Sequence, residues 1–83
     1  MLRFELKNPD ETKILIGKQG KSMRGFSNHI GVSQSYLSQV LSLKSRPSAT
    51  IAKKIAEGLS VNIEDIFFIT IDNKSYQKEK VKL

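Results

Sequence analysis

Eighty-three residues make one small domain, near the size at which a single hydrophobic core suffices. The chain has no cysteine, which excludes a disulfide framework and a thiolate metal site, and no run approaches the roughly 18 apolar residues of a membrane span. Fourteen Lys and Arg against eight Asp and Glu leave a net charge of +6, which favours a polyanionic partner such as nucleic acid.

Leu2, Phe4 and Leu6 alternate with Arg3, Glu5 and Lys7, the period-2 pattern of a half-buried strand over 2–7. Asn8-Pro9-Asp10-Glu11 then reads as a helix start. It offers an N-cap side chain, a proline whose missing N–H costs nothing there, and acids at the positive end of the helix dipole. The first helix is expected over 9–19, burying Ile14, Leu15 and Ile16 and stopping by Gly20.

Ser22 is placed to cap a second helix in which Met23, Phe26, Ser27 and Ile30 fall at i, i+3, i+4 and i+7 as one buried stripe. Gly31 supplies the positive φ of a tight turn. Ser33 follows as a new N-cap, so only Gly31-Val32-Ser33 joins this helix to the next, a helix-turn-helix spacing. After a third helix over 34–42, KSRPSA reads as a loop with Pro47 as breaker and Ser48 as cap. Ile51, Ala52, Ile55, Ala56 and Leu59 outline an amphipathic fourth helix. Asn62, with Asp65 at the capping-box offset, starts a short fifth through Phe67. The apolar run IFFITI continues past it, and Thr70 between Ile69 and Ile71 suggests a strand. Two short strands at opposite ends of a chain can hardly stand alone, so 2–7 is expected to pair with about 67–71. From Asp72 onward no core-forming pattern remains. Half of the net charge lies in residues 73–83, where Lys74, Lys78, Lys80 and Lys82 stand against Glu79 alone. The expected organisation is a domain over 1–71 and a basic tail over 72–83.

SQSYLSQVLS, residues 33–42, holds six Ser or Gln and no charged residue in a chain that is 27% charged. At about 100° per residue, Gln34, Ser35, Ser38, Gln39 and Ser42 share one arc of the wheel, while Tyr36, Leu37, Val40 and Leu41 share the other. A merely solvated face would draw on Glu, Lys and Arg, which favour helix more than Ser does. Gln offers a donor and an acceptor side by side, suited to N6 and N7 of adenine, and Ser serves either base edge. An uncharged reading face keeps carboxylates away from phosphates, with Lys and Arg at its rim supplying affinity.

The setting of that face resembles the helix-turn-helix of the lambda-repressor and Cro-like proteins, the XRE family. In that pattern a small residue precedes the turn glycine by four positions, and aliphatic residues follow the glycine by six and nine. Ser27, Gly31, Leu37 and Val40 match it, and RPSATIAKKIAEGLSVNIEDIF looks like the family's fourth and fifth helices. The resemblance covers about residues 9–68. It implies a mainly α fold, a five-helix lambda-repressor-like DNA-binding domain, to which the terminal segments, outside the resemblance, add the small two-stranded β element expected from their alternation. It also implies a transcriptional regulator that binds a two-fold operator as a homodimer, with half-sites about one helical turn apart. Small size favours a repressor that acts by occupying its operator.

By position, the resemblance assigns base-edge contacts to Gln34, Ser35 and Gln39, with Ser38 beside them; Gln34 stands in the first turn of the helix that enters the major groove. Arg24, Ser33, Ser42, Lys44 and Arg46 become phosphate candidates, although Ser33 also suits a plain capping role. Tyr36 lies at the boundary of the two faces and suits either phosphate contact or hydrophobic edge packing. The chain departs from the pattern in three places. Met23 stands where many members carry a phosphate-touching glutamine, Leu43 replaces the usual glycine after the recognition helix, and Ser27 replaces a more frequent alanine.

Other chemistry lacks its parts. His29 is the only histidine, so no histidine metal cluster can be built; a nucleophilic serine would need it as a positioned base, and it lies one helix away with no obvious acidic orienter. Gly17-Lys18-Gln19-Gly20-Lys21-Ser22 fails the phosphate-loop spacing, since two residues rather than four separate its glycines. The helix holding Lys53 and Lys54 commits its apolar side to the core and lacks an aromatic wedge for a membrane surface. No enzymatic activity, cofactor or metal is expected. The expected setting is cytoplasmic and nucleoid-associated. The alternative reading is a protein-binding regulator, antitoxin-like or antirepressor, that grips its partner through the C-terminal segment.

Overall fold

In the computed structural model, which describes residues 2–71 and 74–76, each of the first four helices starts at a side chain that satisfies one of its orphan N–H groups. Asn8 caps α1 (Pro9–Lys18), Ser22 caps α2 (Met23–Ile30), Ser33 caps α3 (Gln34–Leu41) and Ser48 caps α4 (Ala49–Gly58). Their oxygens accept from the backbone N–H of Glu11, Gly25, Tyr36 and Ile51 at 3.1, 3.1, 3.1 and 3.3 Å. Each such cap is worth about 1 kcal/mol. In α5 (Ile63–Ile66) the reach is reversed, with Asp65 Oδ2 accepting from the Asn62 N–H at 2.9 Å.

The helix ends are as specific as the starts. Gly31, at φ 79°, closes α2 with its own N–H and that of Val32 donating back to Asn28 and Ser27. This left-handed turn is what joins α2 to α3 at a short span.

β1 (Leu2–Leu6) pairs antiparallel with β2 (Phe67–Ile71), Leu2 opposite Ile71, Phe4 opposite Ile69 and Leu6 opposite Phe67. The terminal segments therefore meet as their alternation implies. One face of the pair, carrying Phe4, Leu6 and Phe67, closes the core, and the Phe4 and Phe67 rings meet edge to face at 6.3 Å. A third strand, β3 (Lys74–Tyr76), adds antiparallel to β2, giving the order β1-β2-β3. It falls in the segment assigned to the tail. Backbone ladder bonds need no apolar alternation, so KSY carries no pattern from which the strand could be read. The rest of that segment lies outside the described residues.

Phe26, Leu37, Val40, Ala52, Ile55, Ile66 and Phe67 form the centre of the core. α2 packs on both α3 and α4, and α4 packs on α5 and β1. Helix α1 corrects one expectation: Ile14 is 57% exposed, and the buried pair is Thr12 and Ile16. Those two stand four residues apart, on one face, whereas Ile14 is about 200° from Thr12. Thr12 tolerates burial because its hydroxyl donates to the Asn8 carbonyl at 3.2 Å.

Candidate nucleic-acid interface

Burial of Leu37, Val40 and Leu41 against the core fixes the rotation of α3. The opposite face then has to look outward. Gln34, Ser35, Ser38 and Gln39 are all exposed and together line one shallow depression of about 430 Å³. The four candidate base-contacting residues are thus gathered on one concave surface, with no charged group among its lining. Ser42 follows as the exposed C-cap of the helix.

The two glutamines are not equivalent. Gln34 makes no side-chain hydrogen bond among the described residues, so both its amide oxygen and its NH2 remain free to pair. Gln39 Oε1 accepts from the Ser45 hydroxyl at 3.3 Å, which leaves its NH2 as the free end. Ser45 reaches it because the chain turns back at Leu43, whose φ is 63°. Leu43 N–H donates to Val40 and Lys44 N–H to Gln39 at 3.1 and 2.9 Å, a left-handed helix stop of the kind usually given to glycine. Leucine thus holds a left-handed turn at the position where the family pattern has glycine.

Around the depression the phosphate candidates occupy different environments. Arg24, Lys44 and Arg46 are exposed on the α2 side and in the loop after α3. Ser33 does cap α3, and since its oxygen acts there as acceptor, its O–H remains available to donate. Tyr36 is half-buried against the core, and it joins Arg46 in lining a separate groove of about 670 Å³ beside β1. Met23 is half-buried and packs on the core; a thioether there cannot donate to phosphate as a glutamine would. Ser27 is buried with its hydroxyl donating to the Arg24 carbonyl at 2.9 Å, so the change from alanine adds a satisfied polar group.

Sequence reasoning missed three features of this surface. Between Glu11 and Glu57 the chain contains no Asp or Glu and eight Lys or Arg. All of α2, α3 and the loop after α3 lie inside that interval, so the chain outside it is net acidic. Counting charge by position rather than in total reveals this. It also leaves α2, α3 and α4 without an acid in their first turns, whereas α1 and α5 have two each. The second feature, Ser45 on Gln39, depends on the turn at Leu43. The third, Arg3 in the groove with Tyr36 and Arg46, depends on β1 docking beside the 46–49 loop. Neither leaves a pattern in the sequence.

His29 is exposed and sits in a small depression with Lys54 and Glu57. Among the described residues no group of three His, Asp or Glu gathers as a metal site, and no helix is long and apolar enough to cross a membrane.

The family model for Helix-turn-helix, HTH_3, matches residues 13–66. Among solved structures the chain is similar to one described as the "Crystal structure of a putative DNA-binding protein from Bacteroides fragilis". The two share 24% identity with a TM-score of 0.58, over 81% of this chain and 98% of that one. At that identity the likeness speaks for the fold. No curated protein matches the chain.

Proposed function

The chain belongs to the helix-turn-helix family, and from that premise we propose that it is a sequence-specific, double-stranded DNA-binding transcriptional regulator, a repressor that occupies a two-fold operator as a dimer. The observation that carries this reading is the depression formed by Gln34, Ser35, Ser38 and Gln39, uncharged and set within an acid-free, basic stretch of chain. Helix α3 enters the major groove by its N-terminal turn. Gln34, with both amide ends free, pairs bidentately with N6 and N7 of an adenine, and Ser35, Ser38 and Gln39 read neighbouring edges. Arg24, Lys44 and Arg46 neutralise phosphates on either side, and Ser33 and Ser42 donate hydroxyl hydrogens to them. The N-termini of α2 and α3, which carry no acid in their first turns, add their dipoles to this attraction.

Selection from random duplexes by the purified protein tests the reading. A two-fold-symmetric site is expected, and Gln34→Ala is expected to weaken discrimination at one base pair per half-site by about 1–3 kcal/mol. No enrichment, or binding that salt weakens equally for every duplex, would leave only charge-driven association and sink the proposal.

One observation supports a second reading, in which the fold grips a protein. Phe68 and Ile71 on β2 are 54% and 45% exposed, a good deal of apolar surface for so small a domain. Replacing Gln34 and Gln39 together by Ala separates the two, because it abolishes the work of a DNA reader and spares that of a module docking through β2.

A further inference from the structure

We propose that the free edge of β1 is a self-complementary seam through which two copies of this chain join into one continuous sheet. This deepens the dimer in the reading above and rests on it for its purpose. β1 stands at the end of the order β1-β2-β3, so half of its backbone groups face away from β2. Which half follows from one bond. Lys7 N–H donates to the Ile66 carbonyl at 2.9 Å, which in the observed register makes Lys7, Glu5 and Arg3 the residues that bond toward β2. Leu2, Phe4 and Leu6 therefore present their N–H and C=O outward, and among the described residues no strand meets them.

A second β1 laid antiparallel across this edge, with the two-fold axis at Phe4, uses those groups in the bonded pairs. Phe4 pairs with Phe4 of the partner, and Leu2 with Leu6 of the partner. Arg3 then faces Glu5 of the partner at the non-bonded positions, where side chains on adjacent strands come closest. Symmetry repeats the charge pair, so both copies gain it. Other registers are penalised. A shift of two residues one way sets Arg3 against Arg3, and the other way sets Glu5 against Glu5. A one-residue slip turns the partner's apolar face outward. Leu2, 49% exposed at the end of the sheet, gains an aliphatic neighbour in the matched register. Charged side chains on an edge strand ordinarily repel any second strand; here Arg3 and Glu5 are both exposed, and their order admits one.

Sedimentation of the full chain at tens of micromolar, without DNA, tests the seam. The wild type is expected to sediment as a dimer. Glu5→Arg leaves only cations at positions 3 and 5, and Arg3→Glu leaves only anions, so each variant alone is expected to associate about ten- to thirtyfold more weakly. An equimolar mixture of the two variants is expected to recover dimerisation as a heterodimer, which also shows that both are folded. A monomeric wild type overturns the proposal, as does a dimer indifferent to both substitutions or a mixture that fails to associate. The DNA reading fails separately. A dimer built on this seam that enriches no duplex leaves the seam standing without that function, and a monomer that still enriches a site does the reverse.

Discussion

Leu43 shows how a single residue can depart from a pattern while the backbone obeys it. A leucine at φ 63° carries a Cβ close to the carbonyl that follows, a strain of about 1–2 kcal/mol. The stop is held in spite of this by the bonds from Leu43 and Lys44 back onto α3. Leu43→Gly is expected to relieve the strain, offset in part by the greater freedom of glycine in the unfolded chain. A net gain of about 0.5–1 kcal/mol is expected, seen as a rise in Tm of about 3–6 °C. At Ser45 the expected effect falls on recognition. Ser45→Ala frees the Gln39 carbonyl, so the amide can turn either end toward a base. Binding to duplexes substituted one base pair at a time should show preference relaxed by a few fold where Gln39 reads, with the Gln34 position unchanged.

At the scale of elements, the crossing of α2 and α4 is set by Gly58. A Cβ built there would lie 2.6 Å from Ile30 Cγ2 and about 3.0 Å from the Phe26 ring. Both neighbours are buried, and the Ile30 atom sits at the branch of a stiff side chain, so the helices must move apart. Gly58→Ala is therefore expected to destabilise the fold by about 1–3 kcal/mol, although the same change in an open helix would stabilise it. Chemical denaturation, followed by the loss of helical circular dichroism, measures this. Because α2 also braces α3, the shift should lower DNA affinity as well.

Over the whole molecule, charge is sorted by position. The stretch from Thr12 to Ala56 holds eight cations and no anion, while Glu57, Glu64, Asp65, Asp10 and Glu11 lie on either side of it in the chain. A polyanion approaching α3 meets cations without competing carboxylates nearby in the sequence, which favours fast, oriented encounter. Lys44→Ala and Arg46→Ala are each expected to weaken binding about equally across sequences. Each should lower the slope of log affinity against log salt by about 1, as the loss of one phosphate contact does. A titration of a selected duplex at several salt concentrations reads both effects. A change confined to one base pair would place the residue among the reading groups instead.

Elements whose causes lie within a few residues of each other are legible in the amino-acid sequence. Caps at Asn8, Ser22, Ser33 and Ser48, the glycine turn at Gly31 and the two-faced wheel of α3 are local, because helix start, stop and amphipathicity are set by neighbours within one or two turns. Even the pairing of the terminal strands follows from alternation and the need of each for a partner. By contrast, the inner face of α1 is not legible at Ile14, because a short helix rich in aliphatic residues offers more than one apolar stripe, and only packing selects between them. Strand β3, held through its backbone, the hold of Ser45 on Gln39 and the groove that Arg3 shares with Arg46 are likewise decided by tertiary structure. Each depends on where distant segments come to rest, and that is settled by the summed fit of the core rather than by any residue's own preference.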